Sequence, residues 1–228
     1  MKTTNKFQWM AALVMGMAMT CVTMTSCSKE DNPVVDNSDI PSVGVMTVKE
    51  LDELTTAEIG WVIAADGKAY MNPAAATAAG TEALAMVAYI YDKNAVGPSA
   101  SLAVQLSCSP EYMNWEDANK YVQSLPEVST AAWVLPSQID WKNMFQSCAI
   151  DGDLTTFTDQ QMKPIEGFKA KIVATGMGWE NGWYWTSTED GDRAGLVGPD
   201  ILLPTTPYAH FSDAPKSYPY CVRACLQF

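Results

Sequence analysis

The chain of 228 residues contains a single histidine, His210, and that scarcity removes whole classes of chemistry. Metal sites built on three histidines, or on two histidines and a carboxylate, cannot be assembled from it, and a Ser-His-Asp triad would have to use that one ring. No Gly-x-Ser-x-Gly stands beside it, and no glycine-rich phosphate loop is present. Basic residues are also few: 14 Lys and Arg face 26 Asp and Glu, for a net charge of −12. Such a chain repels phosphate backbones and anionic headgroups, which argues against nucleic acid and against membrane binding by a basic patch. Beyond residue 19, no apolar run reaches the roughly 18 residues that a spanning helix needs.

What is present begins with an address. Lys2 and Lys6 precede the apolar run Trp9–Met19, which fits a signal-peptide core and is too short to cross a bilayer. Met24-Thr25-Ser26-Cys27 follows, and it resembles the lipobox of bacterial lipoproteins, in which the cysteine is acylated and becomes the mature N-terminus. Ser28-Lys29-Glu30-Asp31 resembles the export signal of Bacteroidetes-type surface lipoproteins. These resemblances imply a leader over 1–26, lipidation at Cys27, and an outer-membrane, surface-exposed location. Residues 27–45 are rich in Asp, Asn, Ser and Pro and lack periodicity, the composition of a disordered tether reaching about 60 Å. A single domain is expected over 46–228.

Four cysteines remain in that domain, Cys108, Cys148, Cys221 and Cys225. Export permits disulfides. If the last segment is extended, Cys221 and Cys225 sit roughly 13 Å apart, too far to bond each other, so each would pair with Cys108 or Cys148. Four buried thiols are the equal alternative. Seven tryptophans, at 61, 115, 133, 141, 179, 183 and 185, are enough to dominate a core.

Along the chain, Thr47-Val48-Lys49-Glu50 reads as a capping box opening a short helical turn with Leu51 and Leu54. A strand from Ile59, an Asp66-Gly67 turn and a strand into Tyr70 form a hairpin. Pro73–Ala79 has helix propensity and stops at Gly80; Ala85–Tyr91 and Ala100–Leu106 read as buried strands. Asn114 caps a helix with Trp115, Ala118, Tyr121 and Val122 on one face, and Ser137 caps another with Ile139, Trp141, Met144 and Phe145. An irregular stretch follows. Then come a strand over Gly182–Glu189, a turn at Asp190-Gly191-Asp192, a loop over Ala194–Pro207 and an extended Tyr208–Phe211. In the tail, Tyr220, Val222, Ala224, Leu226 and Phe228 share the expected core face, with Cys221, Arg223, Cys225 and Gln227 opposite.

The order Trp133-Val134-Leu135-Pro136-Ser137, then Tyr184-Trp185-Thr186-Ser187-Thr188-Glu189, then Val222-Arg223-Ala224 resembles the C-type-lectin-like fold. It is most similar to the bacterial branch of formylglycine-generating-enzyme-like and major-paralogous-domain proteins. The resemblance covers about 110–228. It implies an α+β domain in which small antiparallel sheets, holding both chain ends together, are flanked by two helices. Long loops between about Ile150 and Ser217 would bear the binding surface. Calcium-binding members carry Glu-Pro-Asn or Gln-Pro-Asp and Trp-Asn-Asp, and this chain has neither, so no cofactor is expected; Glu189-Asp190-Gly191-Asp192 is the one candidate position for calcium. The flanks and spacing of Cys221 and Cys225 do not reproduce the catalytic cysteine pair.

The expectation is a non-catalytic domain that binds a glycan or an extracellular protein. Trp179, Trp183, Tyr208 and His210 would offer flat faces to a sugar, and Asp190 and Asp192 would accept from its hydroxyls. A fimbria-associated structural role and a formylglycine-generating type of enzyme are the alternatives.

Overall fold

The computed structural model describes residues 48–94, 98–149, 163–164, 166–178, 182–199 and 208–228. All of them belong to the unit Gly44–Phe228, one of two into which the chain divides. The leader, Cys27 and the tether lie outside the described residues.

Seven strands form the larger sheet: β1 (Val48–Lys49), β2 (Val62–Ala64), β3 (Ala69–Tyr70), β4 (Ala83–Tyr89), β5 (Leu102–Gln105), β6 (Ala132–Val134) and β11 (Cys225–Gln227), in the order β1-β3-β2-β4-β5-β11-β6. Every pairing within it is antiparallel. The expected hairpin is β2–β3. Gly67 takes φ +80° at its turn, and the Tyr70 hydroxyl donates to Asp66 Oδ2 at 2.7 Å. Helix α1 (Pro73–Ala78) is capped by Asn72, whose side chain accepts from Ala75 N.

The second sheet contains β7 (Lys163–Pro164), β8 (Tyr184–Asp190), β9 (Arg193–Pro199) and β10 (Tyr208–Pro215), ordered β7-β10-β9-β8. Helices α2 (Trp115–Gln123) and α3 (Gln138–Ser147) begin at the expected caps: Asn114 accepts from Asp117 N, and Ser137 forms a capping box with Asp140. Helix α4 (Glu166–Ala174) follows β7. The architecture is therefore mixed α and β with antiparallel sheets.

Alternation along β4 fills two cores. Met86 and Ala88 join Trp141, Met144, Phe145, Phe168 and Tyr184 on one side, while Ala85 and Val87 join Leu51, Leu54 and Leu226 on the other. A third cluster lies under α2, where Ala118 and Val122 meet Trp185, Leu196, Val222 and Ala224. Burying roughly 25 cal/mol per Å² of apolar surface, these clusters tie the two sheets together through α3 and the carboxyl-terminal segment.

Several expectations are corrected. The first cap is Glu50 with Glu53, and it opens only a 3-10 turn at Leu51–Glu53, because Val48 and Lys49 are committed to pairing with β3. Ala194–Pro199 is strand rather than loop. Its glycines and proline look like breakers, yet Gly195 and Gly198 are there because neighbouring side chains leave no room for a Cβ. The irregular stretch contains α4, whose Phe168 and Ile172, four residues apart, are fully buried. Ile139 is 62% exposed, so the buried side of α3 is Trp141, Met144 and Phe145. Both faces of the tail are buried. Strand β11 runs between β5 and β6, so Cys225 enters one core and Leu226 the other. The first and last described strands, β1 and β11, share the seven-stranded sheet but are not adjacent in it, since β3, β2, β4 and β5 lie between them.

Candidate ligand-binding site

Trp183 and His210, chosen from sequence, come together. Gly182 and Trp183 lead into β8, and His210 pairs with Gly198 across β9–β10. The Trp183 and His210 rings stand 5.3 Å apart at 59°. Trp183 is half-buried and its indole lies against the β9 backbone: a Cβ on Gly198 would come within 2.9 Å of Trp183 Cδ2 and Cε3. Gly198 is thus the seat of the indole. His210 is exposed.

Tyr112 extends this surface, and sequence reasoning missed it. It is 62% exposed. Its hydroxyl lies 3.8 Å from where a Cβ on Gly182 would be, and so borders the segment that carries Trp183. Beyond Tyr112 is an open depression of about 650 Å³ lined by Asn114, Asp117, Lys120, Tyr121 and Ser217. Tyr121 is fixed by a hydrogen bond from Gln105 Nε2 to its hydroxyl at 3.1 Å. The Asp117 carboxylate accepts from Lys120 Nζ at 3.0 Å and from Asn114 Nδ2 at 2.8 Å, and Lys120 holds its carboxyl below the ordinary value. The signal in the sequence was the exposed aromatic two residues before a helix cap.

The other expected residues are dispersed. Trp179 lies outside the described residues, and of Tyr208 only the backbone, at the start of β10, is described. Asp190 and Asp192 flank the β8–β9 turn, away from the paired rings in register. That turn is held by lysine: Lys216 Nζ donates to Glu189 Oε2 at 2.6 Å and to Gly191 O at 2.7 Å, and stands 4.6 Å from the centre of the Trp115 ring. Among the described residues no group of three or more His, Cys, Asp or Glu is placed to hold a metal ion.

No disulfide joins the four cysteines. Cys148, Cys221 and Cys225 are buried thiols of the same core. Burial pushes Cys148 up to about 12, and it raises Cys225 well above the ordinary thiol value. Cys225 Sγ lies 3.7 Å from Met144 Sδ, among groups that disfavour a thiolate. Cys108 is half-buried, with Sγ 3.3 Å from Ser109 O.

No family model, no curated protein and no solved structure matches the chain.

Proposed function

We propose that this chain is a surface-exposed outer-membrane lipoprotein, held by an acylated Cys27, whose C-type-lectin-like domain binds a glycan without chemistry. The observation that carries this reading is the pairing of half-buried Trp183 with exposed His210, bordered by exposed Tyr112. Fixed aromatic faces suit the apolar side of a pyranose, and Asn114, Asp117 and Ser217 in the adjoining depression offer partners for hydroxyls. The leader and lipobox resemblances support the location.

The test is a panel of host and microbial glycans and secreted proteins presented to the full chain in detergent. A stacking ring contributes about 0.5–1.5 kcal/mol, so Trp183→Ala and Tyr112→Ala should each weaken glycan binding by up to about tenfold. Gly198→Ala should do the same by displacing the indole without removing it. A panel with no binding above the Trp183→Ala control ends this reading. Binding of secreted proteins alone would replace the glycan with a protein ligand.

A further inference from the structure

The depression beyond Tyr112 is longer than a single sugar requires, and α2 sets its shape. Asn114, Asp117, Tyr121 and Ser124 line it at spacings of three, four and three residues, which puts them on one stripe of the helix. From Asn114 to Ser124 that stripe advances about 15 Å at 1.5 Å per residue, and Trp115–Gln123 contains no proline or glycine to kink it. The other side is made by residues 111–113 and by the segment carrying Ser217 and Pro219. Hydrogen bonds from Trp115 N to Lys216 O and from Met113 N to Tyr220 O, both 2.9 Å, fasten that segment to the start of the helix. At the Tyr112 end the trough meets the Trp183–His210 pair. Tyr112 lines the trough, and its hydroxyl reaches to 3.8 Å from a Cβ built on Gly182, the residue before Trp183.

The walls suit hydroxyls rather than charge. Asp117 is matched inside the trough by Lys120 Nζ at 3.0 Å and by Asn114 Nδ2 at 2.8 Å, so neither ion of that pair calls for a charge on the ligand. The Tyr121 hydroxyl accepts from Gln105 Nε2 at 3.1 Å, which leaves its own proton to donate. Glu111 is exposed at the rim and pairs with no cation among the described residues. It accepts from a hydroxyl, and on a chain of net charge −12 it turns away an acidic sugar. A cationic sugar gains little from one solvent-exposed carboxylate and meets Lys120 on the same wall.

We infer that the glycan is a neutral, extended chain of β-1,4-linked hexoses, bound along its length rather than by one terminal unit. One unit lies on the Trp183–His210 rings, and those that follow pass Tyr112 and run along α2 toward Ser124. This rests on the glycan reading of the Trp183 face and specifies its ligand. A straight stripe selects a chain that is itself straight, because such a chain loses less freedom on binding than one that must be uncoiled. β-1,4-linked hexoses run straight with their apolar ring faces exposed, whereas α-1,4-linked hexoses coil away from a straight wall.

The experiment titrates the full chain in detergent with cellohexaose, mannohexaose, cellobiose, mannobiose, maltohexaose and hexagalacturonate. At least one of the two β-linked hexaoses should bind, at least tenfold more tightly than its own disaccharide and at least fivefold more tightly than maltohexaose or hexagalacturonate. Tyr121→Phe keeps the ring and removes the donor, and it should weaken the hexaose at least threefold while leaving the disaccharide unchanged. Because that variant also strands Gln105, Glu111→Gln at the exposed rim is the second, with the same split expected. A disaccharide as tight as its hexaose, or an unchanged hexaose affinity in both variants, overturns the inference. So does maltohexaose or hexagalacturonate binding as tightly as the β-linked hexaoses, or failure of both β-linked hexaoses to bind. A different glycan bound in a Trp183-dependent way would then leave the glycan reading standing without this ligand, whereas no glycan bound at all removes both.

Discussion

The guanidinium of Arg223 lies 5.6 Å from the centre of the Tyr184 ring, with none of the arginine exposed to solvent. Its Nη2 donates to Gly178 O at 3.2 Å. One buried cation therefore holds Gly178, four residues past the end of α4, and the first residue of β8, directly after Trp183. A charge taken this far from water costs several kcal/mol unless its partners are fixed, and arginine suits the place because its flat group stacks and donates together.

Arg223→Ala should accordingly destabilise the domain by about 3 kcal/mol or more, through the lost contacts and the cavity together. Arg223→Lys keeps the charge but neither the stacking nor the fork, and should fall between alanine and the native chain. Urea unfolding of the three proteins is the measurement. A loss below about 1 kcal/mol in Arg223→Ala would mean that the cation is incidental to the fold.

Legibility followed how local the cause was. Asn114 and Ser137 announced their helices because a cap is written within four residues, and the Asp66-Gly67 turn announced its hairpin. Strand β9 was illegible because its glycines answer to Trp183 and Gln138, 15 and 57 residues away along the chain. The tail misled for a similar reason. Alternation assigns one wet face, but β11 is central and both faces are covered. At the site, Trp183 and His210 were legible as types, and their meeting follows from the β8–β9–β10 register.

Acid sensitivity should centre on Glu58. It is buried, accepts from Lys49 Nζ at 2.7 Å, and forms a capping box with Thr55. The hydrogen bond from Lys49 is the largest cause holding its carboxyl below the ordinary value; burial opposes it, and Thr55 adds to it. A carboxyl depressed in the folded state stabilises fully above its unfolded value, about 4.3, and that contribution is lost as pH falls through the lower folded value. Stability should be level with respect to this group from pH 7 to about 5 and should decline below that. Lys49→Met should flatten the decline while lowering stability at neutral pH. Thermal unfolding between pH 3 and 7 distinguishes the two chains, and parallel curves would remove Glu58 from the account.

The thiols should behave as core residues. A thiolate is the species that reacts with maleimides and disulfides, and burial keeps Cys148 near 12 and Cys225 well above the ordinary range. In the folded protein at pH 8, Cys148 and Cys225 should resist alkylation for hours and become labelled at once in urea. Cys108, half-buried, should react first. The same geometry forecasts free thiols, because Cys225 packs against Met144 and Cys148 against Ala88 O at 3.6 Å rather than against other cysteines. Intact mass under non-reducing conditions decides the matter. A value lower by two hydrogens for each pair would show that the domain forms cystines and that the core around β11 is arranged differently to bring them together.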